Sequence, residues 1–159
     1  MTSKLTDPTR GRKKKRTRAE IAEERAANYN PTSEWVDLYG TSLHLGFGVR
    51  GYEKVRHLQR DRELPPARRN RRGWEWMRAD LSLMQEMKRL GLWQEYWQDL
   101  RKAKGEHAAW VAMQRLLVQE KARLESEADE ALRLVHEERA QRRAKAEATR
   151  KAVKQGGPF

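Results

Sequence analysis

No glycine or proline interrupts the chain from Glu106 to Val153. Both residues break helices, glycine through backbone entropy and proline through its missing N–H and its ring. A stretch this long without either has one simple solution, a single helix roughly 70 Å long at about 1.5 Å per residue. In a chain of 159 residues this leaves material for one modest body and short tails.

Trp110, Met113 and Leu117 start an apolar stripe along this helix, and Leu124, Ala128, Ala131 and Val135 continue it, with Lys121 intruding. The repeat is short for a coiled coil, so 106–138 is expected to support self-association or contact with other protein subunits. Past Val135 the apolar residues are mostly alanine. Asp129–Arg133, Glu138–Arg142 and Glu147–Lys151 stand four apart with the acid first, the order in which such pairs add about 0.2–0.5 kcal/mol each. The helix can therefore persist in water beyond its packed half.

Five of the six tryptophans, Trp74, Trp76, Trp93, Trp97 and Trp110, fall in the middle segment, and only Trp35 lies outside it. Each can bury a large apolar area, which places the core there. Trp74, Met77, Leu81 and Met84 recur at three and four residues and predict one face of a helix. Gly91 suits a left-handed cap. Leu92, Trp93, Tyr96, Trp97 and Leu100 form a second stripe that Gly105 stops. Single-glycine links predict helices that turn on one another.

Upstream, Arg18 to Ala27 predicts a short helix, halted by Asn28 to Pro31. Thr32 or Ser33 can cap a second one ending before Gly40, with Trp35, Leu38 and Tyr39 buried. Leu43, Leu45, Phe47 and Val49 alternate with His44, Gly46 and Gly48 at strand period, but no partner strand is evident, and an ordered loop is expected. A helix from Tyr52 to Arg62 follows, ended by Pro65 and Pro66. The expected fold is all-α: a disordered basic arm (1–17), a small Trp-rich helical body (18–105), a long C-terminal helix (106–154) and a tail (155–159).

The formal net charge is +12 and the isoelectric point near 10.3, a balance that points to a polyanionic partner. The charge is segregated: +7 over 1–18, +6 over 50–78 and +6 over 139–159, against −4 over 106–138. Cysteine is absent, which excludes disulfides and thiolate zinc sites. No apolar run approaches the ~20 residues of a membrane span, and no secretory h-region opens the chain. A soluble intracellular protein without membrane contact is expected. Nuclear, mitochondrial, bacterial cytoplasmic and virion settings are not distinguished.

Arg10, Arg12, Lys13, Lys14, Lys15, Arg16 and Arg18 form the densest cationic run, suited to displacing counterions from a phosphate backbone. The alternative reading is a solvated tail. Arg68, Arg69, Arg71 and Arg72 surround Asn70 directly before Trp74 and Trp76. Arginine forks match phosphate oxygens and stack on bases. Trp74 shares the spacing of Met77 and Leu81 and is assigned to the core. Trp76 falls off that face and is the expected base-stacking residue. Arg142, Arg143 and Lys145 supply the third basic block.

Gly46, Gly48 and Gly51 match G-x-G-x-x-G, but no βαβ unit surrounds them and dinucleotide chemistry is rejected. A glycine turn presenting backbone N–H groups and Arg50 to a phosphate stays open beside a plain flexible loop. His44, His57, His107 and His136 are scattered, the carboxylates mix with basic residues, and no nucleophile elbow, P-loop or kinase signature occurs. No enzymatic activity, metal or cofactor is expected.

The leading expectation is a non-catalytic nucleic-acid-binding structural subunit of a larger nucleoprotein or ribonucleoprotein assembly, holding RNA or DNA by its backbone. The plan of basic N-terminal part, helical oligomerisation part and basic tail also resembles a terminase small subunit. That resemblance implies a viral DNA-packaging factor oligomerising through its long helix. A helix-turn-helix around Glu34–Leu58 would favour DNA recognition. A coiled-coil interaction scaffold is the third reading.

Overall fold

The computed structural model describes residues 15–156. They form two compact units that divide between Met113 and Gln114. The all-α expectation holds, with six helices and only three very short strands among the described residues. The basic run Arg10, Arg12, Lys13 and Lys14 lies outside them.

The first unit opens with α1 (Arg18–Ala27), whose start Thr17 caps by accepting the Glu20 N–H at 3.2 Å. A two-residue strand, β1 (Trp35–Val36), leads into α2 (Leu38–His44). The cap is Asp37, accepting the Gly40 N–H at 2.8 Å, and not Thr32 or Ser33. Gly40 lies inside α2, where an added Cβ would stand 3.2 Å from the Val36 Cβ, so close approach and not helix termination explains this glycine. The strand-like alternation ends in a loop, as expected, but α2 takes Leu43 and His44 from it. The helix α3 (Tyr52–Arg60) stops two residues before its expected end.

The largest departure concerns residues 68–77. β2 (Arg68–Asn70) and β3 (Gly73–Met77) form an antiparallel hairpin, and β3 also pairs with β1, so the sheet order is β1-β3-β2. The helical spacing of Trp74 and Met77 is coincidental; α4 (Arg78–Arg89) begins only after them. With period two, Trp74 and Trp76 share one face of β3, and Trp76 is the more interior of the pair.

Helices α4 and α5 (Leu92–Lys104) turn on one another across Gly91, whose φ of 78° is the left-handed conformation its position predicts. The core gathers Val55, Leu64, Trp76, Leu81, Met84, Met87, Trp93 and Trp97, all buried. Trp93 and Trp97 stack with ring centres 4.5 Å apart, and Trp110 meets both edge-on.

Arg78 ties the segments together. Its guanidinium donates to the Asn30 and Ser33 carbonyls at 2.8 Å, the Ser33 hydroxyl at 3.1 Å and the Tyr29 hydroxyl. It also donates to His44 Nδ1 at 3.1 Å, which leaves His44 Nε2–H to donate to Ser82 at 3.1 Å. Burial, and then the Arg78 charge, hold the His44 pKa below its ordinary value and keep the ring neutral.

Helix α6 (Glu106–Gln155) is continuous for 50 residues. Trp110, Met113 and Leu117 are buried, whereas every residue from 121 to 156 is exposed. Two anticipated ion pairs form, Glu138–Arg142 at 2.6 Å and Glu147–Lys151 at 3.7 Å. Arg133 instead bridges Glu130 and Glu137 at 2.8 and 2.6 Å. Among the described residues no helix is long and apolar enough to cross a membrane.

Candidate nucleic-acid interface

The polar face of α3 offers Glu53, Arg56, His57 and Arg60 at spacings of three and four, all exposed, while Tyr52 and Val55 anchor the helix in the core. Glu53 is balanced by Arg18 at 3.2 Å and Arg56 at 3.3 Å, so this face is not acidic where the carboxylate sits. α2 packs on α3 across the connection 45–51, in which Gly46 and Gly48 take positive φ. Gly51 starts α3 at a close approach, since an added Cβ would meet Phe47 Cβ at 2.3 Å and the Ser42 hydroxyl at 2.6 Å. The G-x-G-x-x-G match is therefore the joint of a helix pair. Arg50, on this joint, is exposed and stands 3.9 Å from Glu23.

The hairpin places two arginines at its tip. The register pairs Arg68 with Glu75, Arg69 with Trp74 and Asn70 with Gly73, leaving Arg71 and Arg72 as the turn. Asn70 builds it by accepting the Arg72 N–H at 2.9 Å, and Gly73 completes it at φ 113°. Arg71 and Arg72 are exposed and have no ion pair among the described residues. Arg68 is committed to structure, lying 3.6 Å over the Trp35 ring and 3.2 Å from Glu75. Arg69 lies 5.5 Å over Trp74.

The α3 face and the hairpin meet in a cleft of about 410 Å³. Arg56, Gln59 and Arg60 come from α3, Arg72 and Trp74 from the hairpin, and Arg25 and Tyr39 from α1 and α2. Asp37 also lines it, paired with Arg25 at 3.1 Å. Burial, and then Tyr52, raise the Tyr39 pKa, so its hydroxyl stays a donor. Of the four guanidiniums, Arg25, Arg56 and Arg60 are ion-paired, with Asp37, Glu53 and Asp61, whereas Arg72 has no ion pair among the described residues, and Trp74 supplies an aromatic wall.

Trp76, expected to stack on a base, is only 1% exposed and belongs to the core. Trp74, assigned to the core, is 39% exposed and faces the cleft. The reversal follows from position along β3: both indoles share one face, but Trp76 pairs with the buried Val36 of β1, whereas Trp74 pairs with Arg69 near the hairpin tip. Of the other anticipated residues, Arg69, Arg71 and Arg72 stand together. Lys15, Arg16 and Arg18 are exposed at the start of α1, where Arg16 pairs with Glu24 and Arg18 with Glu53. Arg142, Arg143 and Lys145 belong to the second unit and are exposed on α6, Arg142 paired with Glu138. Sequence reasoning missed Arg25, Arg56, Gln59 and Arg60. Arg56 and Arg60 carry a signal, cations one turn apart on the side of α3 turned away from Val55, whereas Gln59 lies seven residues after Tyr52 on the same face as Tyr52 and Val55. No group of three or more His, Asp or Glu side chains among the described residues is arranged to hold a metal. No known protein family matches the chain, and no curated protein or solved structure is similar to it.

Proposed function

We propose that the chain is a non-catalytic nucleic-acid-binding protein and that its ligand is duplex DNA. The α2–α3 pair followed by an arginine-tipped hairpin carries this reading. A helix pair with one polar, exposed member is the device by which proteins place a helix in the major groove. The seven-residue connection 45–51 is longer than the usual three or four; Gly46 and Gly48 take its positive-φ positions, and Gly51 makes the close approach to Phe47. Arg56, His57 and Arg60 face the base edges, where arginine pairs with guanine. Arg69, Arg71 and Arg72 take the flanking backbone, whose phosphates position the protein without reading sequence. The deep, narrow major groove of an RNA helix does not admit an α-helix, which favours DNA.

Competition binding to duplex DNA, single strands and duplex RNA tests the reading. Arg56→Ala is expected to relax selectivity at one base position, and Arg72→Ala to weaken all duplexes alike and lower the salt slope by about one. Equal affinity for duplex RNA, or an affinity indifferent to salt, would sink it.

The exposed face of α6 favours a partner as well, and the proposed one is a second copy. Leu124, Leu132 and Val135 are 38, 56 and 43% exposed. The acidic 106–138 and the basic 139–159 carry −4 and +6, which complement each other in an antiparallel pair. Sedimentation of the full chain is expected to show a dimer that high salt weakens; a monomer at low salt and high concentration rejects it.

A further inference from the structure

Helix α3 ends in a conformation that side-chain-bearing residues rarely adopt. The Glu63 N–H returns to the Leu58 carbonyl at 2.8 Å and the Arg62 N–H to Gln59 at 3.2 Å, the two bonds of a Schellman turn. Glycine usually occupies the left-handed position of that turn. Here it is Arg62, at φ 58°, the single non-glycine residue with positive φ among those described. Such a residue persists only where its surroundings over-determine it.

The surroundings belong to α5. The Trp97 indole N–H donates to the Arg62 carbonyl at 2.6 Å. The Gln98 amide donates to the Asp61 carbonyl at 3.2 Å and to the Glu63 carboxylate at 2.7 Å. Arg101 fixes that amide by donating twice to its oxygen, at 3.1 and 2.7 Å. Trp97 is fully buried against Trp93, so its donor cannot follow a wandering turn. The end of α3 is thereby referenced to the aromatic core and not to its own loop.

We propose that Trp97 and Gln98 are positioning residues for nucleic-acid recognition: by holding the left-handed turn at Arg62, they fix the angle at which α3 is presented beside the hairpin. This rests on the reading of α3 as the groove-entering helix. Neither side chain touches nucleic acid. The hairpin arginines supply backbone contacts independently of this clamp, so it governs selectivity rather than charge.

The test uses the full chain with Trp97→Phe, which keeps a buried ring and deletes the N–H, and Gln98→Ala at a half-buried site. The probes are a duplex enriched from a randomised library by the wild type and a shuffled duplex of equal composition. Both variants are expected to lose about tenfold for the enriched duplex, comparable to one mismatched base pair, with shuffled-duplex affinity and salt slope unchanged. Hydrogen exchange is expected to quicken at 58–63 and to stay unchanged in α1. Variants that match the wild type on the enriched duplex overturn the proposal, as does an equal loss on both duplexes. A wild type that enriches no sequence removes the reading of α3 and this proposal with it. Unchanged exchange at 58–63 overturns the clamp alone.

Discussion

The first unit and the exposed part of α6 are both helical, yet different forces hold them. In the first, five helices, the start of α6 and a small sheet close around Trp76, Trp93 and Trp97, and residues distant in sequence hold the end of α3. In the second, each residue from 121 to 156 faces water, and the order rests on alanine and on pairs three or four apart, such as Arg123 with Glu120 and Glu127. Secondary structure alone thus says little about what a substitution costs. The number of distant partners says more.

The largest expected effect is at Trp76. Replacing it with alanine should cost about 3–5 kcal/mol, in the range for a large buried aromatic. Loss of near-ultraviolet ellipticity with much of the far-ultraviolet signal retained would sharpen the contrast, because α6 should outlast the core. An unchanged melting temperature would break it. Gly91→Ala is next, at about 1 kcal/mol, since φ of 78° suits glycine. Chemical denaturation measures that step.

Acid should weaken the first unit through His44. Its pKa is held below 6.5 in the fold, so below pH 6.5 the unfolded chain binds the proton more readily. Stability is fully present above that pH and falls as the pH drops towards the lower folded value. His44→Gln should flatten this part of the profile, which stability measured across the mildly acid range will show. The smallest effect belongs to α6: Arg133→Ala removes two exposed pairs and should cost about 0.3–0.5 kcal/mol or less, visible in helicity at low salt and not in the melting of the core.

The same contrast explains what could be read from sequence. Helices α5 and α6 were legible because Gly91 and Gly105 delimit them and long stripes repeat inside them. The hairpin was not. Its strands are three and five residues long, and its tip is Arg-Arg, turned by the Asn70 side chain where an Asn-Gly pair would have announced it. Trp74, Met77 and Leu81 then imitated a helix face, and Trp76 exchanged roles with Trp74. Of the cleft's four guanidiniums only Arg72 was visible, within the arginine density at 68–72. Arg25 lies on α1, and Arg56 and Arg60 on α3 converge with Gln59 only once the helix is wound.

Arg78 has a consequence for the order in which the chain assembles. Its acceptors lie 34 residues back at His44 and 45 to 49 back at Ser33, Asn30 and Tyr29. No local segment can satisfy this guanidinium, so the junction closes only after long loops have been brought together, the slow part of a folding reaction. During synthesis the bonds of Arg78 to Tyr29, Asn30, Ser33 and His44 can form only once the first residue of α4 has left the ribosome.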